Sequence, residues 1–146
     1  MSLTIFLLTL TNCRPKIDLT GYADTPITVS GLTAEEFTVM PKDLAGLELV
    51  TQSAVGASAK AGTVKATGPT LKTFIVNYGK APEDFKLVRF IAKDEYRVTL
   101  HENSIQNRDV ILSVYPLSEQ EQPLRLLIPQ AESGQWIYGI TRIEFE

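Results

Sequence analysis

Between residues 48 and 100 the sequence admits few folds, because one helical run is fenced by breakers and flanked by strand-like runs. Leu71, Phe74, Ile75 and Tyr78 recur at helical spacing. Pro69 stands where a first helical turn begins, and Gly79 where a helix stops. The pattern predicts a helix over 69–78, the longest in the chain. Before it, residues 49–55 read as a strand, 56–62 as a loose Gly- and Ala-rich loop, and 64–71 as the turn into the helix. After it, residues 87–94 form an apolar run and 96–100 alternate, which predicts a pair of strands. Strands around one bounded helix make a mixed α/β core, of class α+β, mostly β with few short helices.

The rest of the chain fits one domain of single-core length, 146 residues. Residues 27–31 and 36–39 alternate as strands, and 41–46 read as a small helix with Met40 and Leu44 turned inward. Residues 82–85 form a helical turn or loop. Residues 101–108 are polar and read as a connection to a strand over 110–115, ended by Pro116. Two further strand-like runs, 124–128 and 135–145, are separated by polar loops. The domain is therefore expected over 26–146, with 1–25 as a leader or arm. Residues 3–11 are apolar but too short for a bilayer, which takes about 20 residues. They read either as the tail of a bacterial lipoprotein signal, with Cys13 the lipidated residue, or as an N-terminal strand. The first reading implies an extracytoplasmic protein with a lipid anchor.

Charge and residue counts exclude several functions. A net charge of −3 with no basic run argues against nucleic acid, whose binders concentrate Lys and Arg on one face. One cysteine and one histidine cannot build a Cys/His zinc site or a disulfide. The phosphate-cradling Gly-x-x-x-x-Gly-Lys-Ser/Thr and the Gly-x-Ser-x-Gly elbow are both absent. The acidic pairs Glu35-Glu36, Asp94-Glu95 and Glu119/Glu121 fall in polar turns and read as solvated surface.

Five short motifs, in order, resemble the molybdopterin-binding domain of the sulfite oxidase family over residues 26–146. Thr51-Gln52-Ser53-Ala54-Val55-Gly56-Ala57 stands in the place of Thr-x-x-Cys-x-Gly-Asn, and Ala66-Thr67-Gly68-Pro69-Thr70-Leu71 in that of Trp-Thr-Gly-Val-Pro-Leu. Ala92-Lys93-Asp94-Glu95-Tyr96-Arg97-Val98-Thr99-Leu100 is similar to Ala-x-Asp-Gly-Tyr-x-Val-x-Leu. Pro123-Leu124-Arg125-Leu126-Leu127-Ile128-Pro129 and Ile140-Thr141-Arg142-Ile143-Glu144 complete the series. The resemblance implies a small sulfite-oxidase-like fold, and it also marks what this chain lacks. The family's molybdenum-ligating cysteine is matched by Ala54, and a methyl group donates nothing to a soft metal. The lysines that hold the cofactor phosphate are matched by Gln135 and Tyr138.

What the resemblance leaves is the pterin end of a pocket. A pterin site needs an aromatic wall and in-plane hydrogen-bonding groups. Trp136 and Tyr138 are the candidates for the wall, and Gln135, Ser53, His101, Asn103 and Arg108 for the polar edge. Arg125, inside an apolar strand, reads as structural. The expected function is non-enzymatic binding of a pterin or similar heterocycle by an extracytoplasmic domain that reports to a membrane-associated signalling partner, with no cofactor required and no molybdenum. Two alternatives stand beside it: a molybdopterin-dependent oxidoreductase with non-thiolate ligation, and a purely structural interaction domain. Ala54→Cys alone is expected to leave the protein without stoichiometric molybdenum on elemental analysis, since the phosphate still lacks cationic partners.

Overall fold

The structure, a computed structural model, describes residues 26–55, 63–114, 125–128, 137 and 139–146. In chain order the elements are β1 (Ile27–Ser30), β2 (Phe37–Val39), α1 (Pro41–Ala45), β3 (Val50–Val55), β4 (Thr63–Gly68) and α2 (Leu71–Asn77). A 3-10 turn (Pro82–Asp84) follows, then β5 (Leu87–Ala92), β6 (Arg97–His101), α3 (Glu102–Asn107), β7 (Ile111–Ser113), β8 (Arg125–Leu127) and β9 (Ile140–Phe145).

Alternation in the sequence becomes a one-sided sheet of five strands, ordered β2-β1-β9-β5-β6. Val88, Phe90 and Ala92 of β5, Val98 and Leu100 of β6, and Ile27 and Val29 of β1 face the core. The last strand lies in the middle, with β9 parallel to β1 and antiparallel to β5. The opposite face carries charge in a chain of ion pairs. Arg89 meets Glu144 at 3.2 Å, and Arg142 meets Glu144 at 3.1 Å and Glu36 at 2.8 Å. Glu36 is thus tied to the sheet rather than merely solvated.

A second sheet differs from the expected turn. Residues 63–68 are a strand, paired with β3 without a break from Val50↔Gly68 to Val55↔Thr63. Beyond Gly68 the backbone runs alongside β7: the Val114 N–H donates to Thr67 O, Leu112 N–H to Pro69 O, and Leu71 N–H to Val110 O, at 2.8–2.9 Å. The helix accordingly starts after Pro69, whose carbonyl is engaged by β7. Thr70 is its N-cap, with Oγ1 accepting from the Thr73 N–H at 3.1 Å. Gly79, at φ +75°, ends it as expected.

Residues 101–108 are a further correction, since they hold a helix, α3, rather than a plain connection. Its one buried residue, Ile105, is too little to show a period in the sequence. Side-chain pairs at i, i+4 stabilise it: Gln106 donates to Glu102 at 3.2 Å and Asn107 to Asn103 at 2.7 Å. In α1, Leu44 is buried as expected, whereas Met40 is only half-buried. Helix α2 seats on the five-stranded sheet through aromatic rings. Phe74 stacks on Phe145 (centroids 6.3 Å apart) and meets Tyr78 edge-on at 5.2 Å, and Tyr78 leans on Phe37 at 4.7 Å.

Two backbone positions yield predictions. A Cβ on Gly68 would lie 1.9 Å from the Leu112 carbonyl oxygen, so Gly68→Ala must push β4 and β7 apart. It should cost about 3 kcal/mol by urea denaturation. Glu95 holds φ +68° in the β5–β6 turn, where the resembled family carries glycine. Glu95→Gly removes that left-handed strain and should raise stability by about 0.5–1 kcal/mol, read as a higher melting temperature.

Candidate functional site

Three of the sequence-predicted residues lie on α3 or at its ends. His101 closes β6 opposite Leu87, and the alternation that buries Val98 and Leu100 leaves it exposed. Its backbone is the N-cap of α3, but its side chain makes no capping hydrogen bond. Asn103 is exposed two residues on, accepting from Asn107. Arg108 ends the helix half-buried, with its N–H donating to Ser104 O at 3.3 Å. Six helical residues rise about 9 Å, so His101 and Arg108 stand at opposite ends of the helix.

Ser53 lies elsewhere, exposed on β3 opposite Lys65 in the second sheet. Beside it, Ala54 sits opposite Val64 in the unbroken β3–β4 ladder. Gln135, Trp136, Tyr138 and Cys13 lie outside the described residues, as do the loops at 56–62 and 118–122. Their neighbours are placed, however. The carbonyl of buried Ile137 accepts from the Leu126 N–H of β8 at 2.7 Å, and the carbonyl of Gly139 accepts from the Lys93 N–H at 3.0 Å. Gly139 turns there at φ +69°. The tertiary fold thus brings the backbone of Lys93, a residue the sequence pattern does not single out, beside the segment that leads into β9. No local signal marks it, because the contact joins residues far apart in the chain. Arg125 opens β8 opposite Ser113.

Elsewhere, an open groove of about 520 Å³ lies between α2 and the residues after α1, lined by Leu47, Glu48, Lys72 and Val76 among others. Among the described residues, none of the sequence-predicted site residues lines it. At the end of α2, burial and then the Asp43 carboxylate push the Tyr78 phenol above its ordinary value. On the outer sheet face, the hydrogen bond to Glu36 leads the interactions that raise Arg142. Among the described residues, no three His, Cys, Asp or Glu side chains form a metal-binding group, and no helix is long and apolar enough to cross a membrane.

No family model matches the sequence. No curated protein matches it either. Solved structures do: the sulfane dehydrogenase SoxCD from Paracoccus pantotrophus is similar at a TM-score of 0.68 and 16% identity, over 89% of this chain. The two share a fold. The small sulfite-oxidase-like α+β architecture expected from the five motifs is the one this chain adopts. The chain spans only 39% of the length of the sulfane dehydrogenase chain.

Because the His101 side chain is exposed and makes no capping hydrogen bond, His101→Ala should change unfolding free energy by less than about 0.5 kcal/mol in chemical denaturation. Any loss of ligand binding in that variant then reports contact rather than folding.

Proposed function

We propose that this domain binds a pterin or a similarly flat, hydrogen-bonding heterocycle and does no redox chemistry of its own. The observation that supports the reading is the pairing of a fold shared with sulfane dehydrogenase with an alanine, Ala54, at the motif position of the metal-ligating thiolate. Molybdenum does not fit this donor set: Ala54 carries no donor atom, and the chain's single cysteine, Cys13, precedes the domain. With Gln135 and Tyr138 at the lysine places, the anion clamp is absent by the same motif comparison. The organic part of such a ligand needs neither.

In this reading Trp136 and Tyr138 form the aromatic wall, and Gln135 contributes to the polar edge. Ser53, His101, Asn103 and Arg108 are the further polar candidates. An anchored position outside the cytoplasm through Cys13, and a signalling partner that senses the bound state, belong to the same proposal.

Trp136 tests it. Stacking on an indole face contributes on the order of 1 kcal/mol beyond burial. Trp136→Ala is therefore expected to weaken binding of a free pterin about tenfold, followed by fluorescence titration, with the melting temperature nearly unchanged. A tryptophan that instead fills the core gives the reverse, a loss of roughly 3–5 kcal/mol in stability with pterin affinity kept in the folded fraction. That result removes Trp136 from the site. Failure of the wild-type protein to bind any pterin removes the function.

A further inference from the structure

Two sheets leave edges, and the described residues treat those edges differently. In the five-stranded sheet, β2 is only three residues long, and β6 carries Arg97 and His101 and runs straight into α3. Short length, charge and a covering element are the usual ways of making an edge unattractive to another strand. Strand β3 has none of them. It is six residues long, Val50-Thr51-Gln52-Ser53-Ala54-Val55, with no charge and no proline. Its register with β4 shows no bulge. No described residue hydrogen-bonds to its other side. Alternate residues of β3 must therefore direct an N–H and a C=O away from β4, and backbone groups of this kind take partners.

We propose that this edge of β3 pairs antiparallel with the same edge of a second copy, joining two β3-β4-β7-β8 sheets into one across a two-fold axis. Antiparallel geometry fixes the register closely. Residues facing each other must both direct their backbone groups, and their side chains, the same way, so the axis passes through a residue, Gln52 or Ser53. A strand that pairs with itself sets each residue at the axis against its own copy, where any charge repels. Every residue of β3 is neutral, so both registers are free of like-charge contacts. Neighbouring pairs then match Thr51 with Ser53 or Gln52 with Ala54, again neutral. One strand pair covers less than the roughly 1,000 Å² typical of a stable interface, so the dimer is weak and reversible. This inference rests on the sheet edge and is independent of the ligand.

Sedimentation velocity of the full chain, from about 1 μM to about 1 mM, tests it. A reversible monomer–dimer equilibrium is expected. Ser53→Lys sets a charge at or beside the axis and should weaken association about tenfold or more. Thr99→Lys, an equal charge change on exposed β6, should leave association unchanged. A wild-type chain that stays monomeric throughout, as when its own residues close the edge, overturns the proposal. So does equal association by wild type and Ser53→Lys. If the variant does not fold, amide exchange on the wild type decides: amides of 50–55 must exchange more slowly as concentration rises, and concentration-independent exchange overturns the proposal.

Discussion

The close crossing of Gly68 over Leu112 is the contact on which the rest of this domain depends. Only a residue without a Cβ lets the end of β4 approach the β7 backbone at this distance. The approach lets Thr67, Pro69 and Leu71 make backbone hydrogen bonds to β7, which joins the β3–β4 hairpin to the β7–β8 pair. It also decides where α2 begins. The chain leaves the ladder at Leu71, Thr70 caps the helix, Ile75 is buried, and Phe74 comes down on Phe145 of the five-stranded sheet. The ring contacts of Phe74 with Phe145 of β9 and of Tyr78 with Phe37 of β2 then hold the helix against the sheet.

Much of this was legible in the sequence, for physical reasons that differ between elements. Strands β1, β5 and β6 bury one face, so their alternation shows directly. Helix α2 has three buried residues at helical spacing and a glycine at positive φ behind it, so its end was readable. Its start was not. Pro69 suits the first turn of a helix equally well, and only the non-local bond from Leu112 assigns it to the ladder. Strand β4 was hidden for the same reason: Thr63–Gly68 looks like a turn until β3 and β7 flank it. Helix α3 carries one buried residue and is stabilised by side-chain pairs on its exposed face, which leave no apolar period.

The candidate site divides along a similar line. Residue chemistry brings His101, Asn103 and Arg108 forward, and they lie within one short stretch, on α3 and at its two ends. The fold puts Ser53 on a different sheet, a separation that no linear spacing reveals. Lys93 shows the converse. Nothing in its neighbourhood singles it out, yet pairing across the fold brings its backbone to Gly139. The alanine at position 54, where the resembled family carries its cysteine, is by contrast legible at once, because residue type is read without any tertiary contact.

The function proposed for this fold, a heterocycle bound without a metal, has two halves. One purified sample of the full chain, split for elemental analysis and for heat extraction with fluorescence of the released material, addresses both halves at once. The account predicts pterin-type emission from the extract with molybdenum far below one atom per chain. Stoichiometric molybdenum would contradict it, since Ala54 would then not mark the loss of the metal site.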